Sequence, residues 1–227
     1  MGALIVGAGQ GLSASLARLF AKHGVAVALA ARNPDKLAAL CAETGAVAYR
    51  CDATKPEEVA GLFDAVAAGP GDPEIVVFNA SARAAGPTVD LDPAAVANAI
   101  AISAFAGFLV AQQAAKRMLP RGAGTILLTG ASASVKGYPR SAAFAMGKFA
   151  LRGLAQSMAR ELAPAGIHIA HFVIDGGIRS ATRIDPANNP DSLLDPDAIA
   201  ESYWHVINQH RSAWTWEMEL RPWVERF

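Results

Sequence analysis

The sequence predicts a doubly wound α/β fold, a parallel sheet with helices on both faces, and three observations predict it. Short apolar runs alternate with longer amphipathic ones, the pattern of repeated strand-helix units. Hydrophobic residues make up 52% of the chain and charged ones 18%, much of the apolar share being alanine and valine, which suits a sheet buried on both sides. A glycine-rich turn, Gly7-Ala8-Gly9-Gln10-Gly11-Leu12, joins the first strand to the first helix.

The elements follow in order. Residues 3–7 (ALIVG) read as a strand and 12–24 as a helix closed by Gly24. A second strand covers 25–31, and Asn33 caps a helix that begins with Pro34. Strand 46–51, helix 55–68 and strand 74–80 come next. A long helix runs from Pro93 to Met118 and stops at Pro120, and strand 125–130 follows. Residues 141–162 form a second long helix, ended by Pro164 and Gly166, before strand 167–174. Residues 175–196, rich in Pro, Asn and Asp, read as loop. A helix over 198–209 and a last strand over 213–220 complete the chain. Without repeat, linker or low-complexity tract, residues 1–227 read as one domain, with 178–197 as its substrate-side loop.

Lys+Arg and Asp+Glu number 20 each, so no net field draws the chain to nucleic acid or to an anionic membrane surface. Neither kind of partner is expected. Cys41 and Cys51 are too few for a secreted disulfide framework and read as core thiols. No run approaches the ~18 to 20 apolar residues of a membrane span, and a cytoplasmic location is the expectation. No metal-ligand spacing stands out.

The turn through Gly7, Gly9 and Gly11 brings backbone without Cβ to a helix N-terminus, where free N–H groups and the dipole favour a pyrophosphate. After the second strand there is no Asp or Glu for a ribose diol. Arg32 stands there, suited to a 2′-phosphate, which favours NADP(H) over NAD(H). Asp52 and Asn79 close the third and fourth strands, at the edge where open parallel sheets bind ligands.

With these residues in order, the chain resembles the short-chain dehydrogenase/reductase family over nearly its whole length. The matching pieces are GAGQGL (7–12), ARN (31–33), CDA (51–53), NAS (79–81) and ARELAPAGIHIA (159–170). The resemblance implies a Rossmann-type seven-stranded sheet, hydride transfer at a carbonyl or alcohol carbon, and homodimers or homotetramers packed through the long helices. It implies cofactor contacts from Gly7, Gly9, Gln10, Gly11, Leu12, Arg32, Asn33, Asp52, Ala53, Asn79, Ala80, Lys148, Gly176 and Ile178.

In that family a tyrosine phenol protonates the substrate oxygen, a lysine four residues later lowers its pKa and grips the nicotinamide ribose, and a serine orients the carbonyl. Here the tyrosine position is Phe144 and the lysine is kept as Lys148. The serine position falls on Ala131 or, with a slip of one, on Ser132; the helix asparagine appears as Ser103 and the usual Pro-Gly as Asp175-Gly176. Phenylalanine neither gives nor takes a proton, so Lys148, Ser132, Tyr138 and Asp175 are the candidates for the chemistry. Two readings stand: an oxidoreductase with an altered site, or a catalytically silent NADP(H)-binding protein that senses cofactor or supports a partner. His168 and His171, three apart on one strand, read as structural. The C-terminal tryptophans beside Arg211, Arg221 and Arg226 read as a subunit interface or a pocket wall.

Overall fold

The computed structural model describes residues 1–225; Arg226 lies outside them. Seven strands form one sheet: β1 (Gly2–Val6), β2 (Ala26–Ala31), β3 (Val47–Arg50), β4 (Ile75–Phe78), β5 (Gly124–Thr129), β6 (Ile167–Ile174) and β7 (Glu217–Leu220). The order is β3-β2-β1-β4-β5-β6-β7, and each neighbouring pair is parallel. Helices α1 (Leu12–Lys22), α2 (Ala38–Thr44), α3 (Pro56–Ala68), α4 (Pro93–Ile100), α5 (Ala106–Met118), α6 (Ala142–Leu162) and α7 (Pro196–Ile207) join the strands. The doubly wound parallel sheet expected from the sequence is the fold.

Alternation along β1 divides the core in two. Ala3 and Ile5 pack with residues of α1 and α7, whereas Leu4 and Val6 pack with residues of α3, α5 and α6. Several helices begin as the sequence dictates. Asp92 accepts from the N–H groups of Ala94 and Ala95 with Pro93 behind it, and Asp195 accepts from Asp197 N–H with Pro196 behind it.

Strand order reverses between β1 and β4, which opens a crevice above their C-terminal ends. Two contacts set its floor. Gly7, at φ 84, passes so close to the end of β4 that a Cβ would lie 2.4 Å from Ala80 N. Asn79 Nδ2 donates to Ser13 Oγ at 2.8 Å, tying the end of β4 to the start of α1.

Some elements differ from expectation. The second helix starts as a tight turn over Pro34–Leu37, capped by Asn33, before α2. The long helix after β4 is interrupted by a π-helical turn at Ala101–Phe105. The last strand is only Glu217–Leu220: Arg211–Ala213 form a tight turn capped by His210, and Trp214 after it stacks on His168, ring centroids 4.6 Å apart. The expectation of no membrane-length run is also corrected: Pro93–Arg121 is long and apolar enough to cross a membrane by length and composition. Alanines interspersed with Asn98, Ser103 and two glutamines hid it from a count of strongly apolar residues. In this fold its inner side packs on the sheet, α3 and α6.

The contrast between two glycines of one turn is testable. Gly7→Ala should lower stability by at least about 1–3 kcal/mol, through overpacking and an unfavourable φ. Gly9→Ala, whose Cβ would meet nothing within 4 Å, should change it by no more than about 0.5 kcal/mol. Urea unfolding of both variants gives the comparison, and equal effects would contradict it.

Candidate functional site

A cleft of about 380 Å³ lies at the reversal point. It gathers Gly7, Arg32, Asn33, Asp52, Ala53, Asn79 and Ala80, all expected from the sequence, with Lys36, Thr54 and Ser81 beside them. Gly9 and Gly11 border open space, since a Cβ on either would meet no atom within 4 Å. Gln10 donates to Lys36 O at 2.8 Å and fastens the glycine turn to the rim. The Leu12 side chain is in the core, so only its backbone faces the turn.

The cleft's charges are arranged by local bonds. Arg32 and Lys36 are both exposed, four residues apart across the turn capped by Asn33. Asp52 Oδ1 accepts from Thr54 Oγ1 at 2.8 Å and Thr54 N at 3.1 Å, and these bonds, helped by Arg32 and Lys55, hold its carboxyl below the usual range. Asn33 spends its side-chain oxygen on Asp35 N–H. Cys51, buried beside the cleft, has its thiol pushed up to about 11 by burial, so it is a protonated core group, as expected; Cys41 is half-buried and also raised.

The other end of the crevice is built by α6. Lys148 is 3% exposed and donates from Nζ to Thr129 O, at the end of β5, at 2.7 Å. Burial, with Arg83 second, pushes its ammonium down to about 7. Phe144, one turn earlier, is buried as well, and its ring centroid lies 5.9 Å from Lys148 Nζ. The Arg83 guanidinium covers that ring, Cζ 4.1 Å from the centroid. Ser103 sits in the π-helical turn, fully buried, and its hydroxyl donates to Ala82 O at 3.3 Å and accepts from Ala82 N at 3.1 Å. A helix tightened elsewhere would miss this clasp; the extra residue of a π turn brings it round.

The candidate proton donors are spread around this end. Ser132 opens a short turn after β5, half-buried, and its hydroxyl has no partner among the described residues. Ser134 is spent: its Oγ accepts from Ala131 N–H at 3.1 Å. Asp175, 6% exposed at the end of β6, pairs with Lys136 Nζ at 3.3 Å. Tyr138 is exposed, its ring 5.9 Å from the same Nζ, and Tyr138 and then Asp175 hold Lys136 above its usual value. Tyr138 and Asp175 are thus joined through Lys136, and neither bonds to Lys148. Gly176 and Ile178 stand past β6, outside the cleft, where Ile178 bridges to Leu194. In the loop that follows, Arg179 gathers Asp185, Asp191 and Asp195.

His171 lies behind the site, as His168 does, and both are buried. Burial pushes the His171 pKa down to about 4 against the pull of Glu217, so near neutral pH the ring is uncharged and donates Nδ1–H to Glu217 Oε2 at 3.0 Å. Glu217 is held below the usual carboxylate range: burial opposes this, and the two bonds from Arg152, at 2.6 and 2.7 Å, prevail. Gly130 makes room for the imidazole, because a Cβ there would lie 2.2 Å from Nε2. Sequence reasoning missed Arg83 and the Glu217–Arg152 pair. Arg83 follows Asn79 by four residues in no motif, and the pair is 65 residues apart.

The profile of a family described as "short chain dehydrogenase" matches residues 2–190. A short-chain dehydrogenase of Rhodopseudomonas palustris is 36% identical, covering 98% of both chains with a TM-score of 0.86. A metagenomic short-chain oxidoreductase solved with NADP is 26% identical over 99% of this chain and 98% of that one, TM-score 0.85. The fold recurs in an NAD⁺-bound xylitol dehydrogenase 23% identical over 97% of both chains, TM-score 0.87. Among curated proteins, "Short chain aldehyde dehydrogenase 1" of Euphorbia lathyris is 30% identical over 74% of this chain and 60% of that protein. The matched region thus spans less than two thirds of that relative.

The neutral His171 sets a pH dependence. Its folded pKa lies below its usual 6.5, so the unfolded chain binds more protons between 6.5 and about 4. The stability gained by keeping the ring uncharged is complete above pH 6.5 and is lost as pH falls toward 4. Thermal unfolding across that window should be steeper in the parent than in His171→Asn, which keeps a donor for Glu217. Superimposable pH profiles would contradict this.

Proposed function

This chain belongs to the short-chain dehydrogenase family, and from that premise we propose that it is an NADP(H)-dependent oxidoreductase of carbonyl or alcohol substrates working through an altered proton-donor site. The observation that carries the reading is the burial of Lys148 one turn from Phe144, bonded to the end of β5, near a cleft over the β1 and β4 ends that Arg32 lines. Loss of the whole function would remove the reason to bury an ammonium at the cost of its usual pKa.

The residues present fit such a cofactor. Gly9 and Gly11 leave a cradle that any side chain would narrow. Arg32 offers a planar fork to a 2′-phosphate, and Lys36 adds a second positive charge. Asp52, anchored by Thr54, is the group for the adenine end, and Lys148 is the group for the nicotinamide ribose. When bound, the nicotinamide supplies or accepts a hydride.

At position 144 the chain offers a phenyl ring where the resemblance to the family implies a phenol. A positioned acid contributes about 10² to 10⁴ in rate, whereas orientation alone contributes about 7–11 kcal/mol, so a reduced rate is compatible with the loss. Lys148, its ammonium pushed down to about 7 by burial, gives up a proton more readily than an ordinary lysine and can pass it to an oxyanion directly or through water. Ser132, with an uncommitted hydroxyl, is the donor next in line, and Asp175 and Tyr138 are linked to solvent through Lys136. Phe144 itself favours the second reading, a silent cofactor-binding protein.

The same helices suggest a homodimer. Phe105, Phe108 and Phe149 are 48%, 40% and 45% exposed, and the first two rings stack at 6.2 Å. A second copy of this chain covering that face accounts for the apolar run through α4 and α5.

NADPH should bind more tightly than NADH, and Arg32→Ala should weaken NADPH roughly tenfold or more while leaving NADH nearly unchanged. Equal loss for both cofactors would count against the 2′-phosphate role. In the same assays Phe144→Tyr should raise kcat by about 10² to 10⁴ over a measurable parent rate. Turnover in that variant and none in the parent would favour the silent protein.

A further inference from the structure

The loop after β4 places a positive group, Arg83, against Phe144. Arg83 Cζ lies over the Phe144 ring, 4.1 Å from its centroid, and contact with a ring does not use up the N–H donors of a guanidinium. Its N–H donors lie in the guanidinium plane, at the edge, and remain free. No acid among the described residues pairs with Arg83. Asp175, the acid at the end of β6, is already taken by Lys136.

The arginine is also held in position. Its neighbour Ala82 is clasped on both backbone groups by the buried Ser103 hydroxyl, and Gly86 N–H donates to Arg140 O at 3.1 Å, which fixes the far side of the loop to the segment before α6. The electrostatics agree with the geometry, since Arg83 is the second cause of the lowered Lys148 pKa. Two positive groups therefore converge on Phe144 with no acid between them, an arrangement that costs repulsion until an anion arrives.

We propose that the substrate carries a carboxylate on the carbon next to its reacting carbonyl, a 2-oxo acid or the matching 2-hydroxy acid, and that Arg83 receives that carboxylate in a two-pronged hydrogen bond. The proposal rests on the oxidoreductase reading and adds the substrate class to it. Arg83 Cζ and Lys148 Nζ lie 4.1 and 5.9 Å from the centroid of one ring, close enough for one small substrate to set its carboxylate on Arg83 and its carbonyl toward Lys148. The chemistry fits an absent phenol: a carboxylate beside the carbonyl withdraws electrons and makes the carbon a better hydride acceptor. In the reduction, that carbon gains a hydride from the reduced nicotinamide, the C=O π pair moves to oxygen, and oxygen takes a proton from solvent water. The carboxylate is unchanged throughout.

The test uses oxamate, an unreactive 2-oxo acid isostere, with oxamide as its neutral counterpart. NADPH affinity is measured first by cofactor fluorescence on the parent chain and on Arg83→Gln, then oxamate is titrated into each NADPH complex by calorimetry. The expected result is equal NADPH binding by both, oxamate binding by the parent without oxamide binding, and a loss of roughly ten- to hundredfold in Arg83→Gln that Arg83→Lys recovers in part. Oxamate binding that is absent from the parent, or equal in parent and Arg83→Gln, overturns the proposal while NADPH binding keeps the oxidoreductase reading. Loss of NADPH in Arg83→Gln assigns Arg83 to the cofactor and overturns it as well. A parent that binds no NADPH removes both readings.

Discussion

The close approach of Gly7 to Ala80 is the constraint on which the rest of the site depends. Parallel strands that separate at a reversal of order leave a crevice, but its depth is set by how near the backbone of one strand end can come to the next. With no Cβ at position 7 the ends of β1 and β4 meet, and Asn79 reaches Ser13 to lock α1 onto them. The first turn of α1 then points its free N–H groups over the opening. Arg32, Asp52 and the loop bearing Arg83 all project from strand ends arranged around that contact.

The second organising feature is a buried positive charge. Lys148 has one protein acceptor, Thr129 O, and an aromatic ring beside it. A phenol at position 144 would share a proton with the ammonium; phenylalanine offers only its π face. A second cation, Arg83, lies against the same ring, in a loop that Ser103 holds through Ala82. Phe144, Ser103 and the loop after Asn79 therefore fall together in space, at one end of the strand edge, with Arg32 and Asp52 at the other.

How much of this the sequence disclosed follows from where each signal is encoded. Strands and helices were legible because burial on both faces imposes period-2 and period-3.6 patterns on contiguous residues. The cleft residues were legible because strand ends in a parallel sheet converge whatever the loops do, so Gly7, Arg32, Asp52 and Asn79 were found from their positions alone. Arg83 was not, since a loop residue's direction depends on a clasp of its neighbour Ala82 by Ser103, 21 residues further on, and on a π turn that no periodicity announces. The His171–Glu217–Arg152 network joins two strands and a helix, and the C-terminal strand is preceded by a tight turn and a Trp214–His168 stack. Such pairings are decided by tertiary contact and leave no local trace. The membrane-length run through α4 and α5 was overlooked because alanine carries little hydropathy by itself but is ideal for close helix packing.

A crystal structure grown with NADPH tests the central claim most directly, because it reports both ends of the crevice at once. The account predicts the 2′-phosphate against the Arg32 guanidinium and the nicotinamide ribose within ~3 Å of Lys148 Nζ, with no protein hydroxyl at position 144 to meet the substrate oxygen. A crevice left empty at saturating cofactor, or a cofactor bound with Arg32 and Lys148 both turned away, would contradict it.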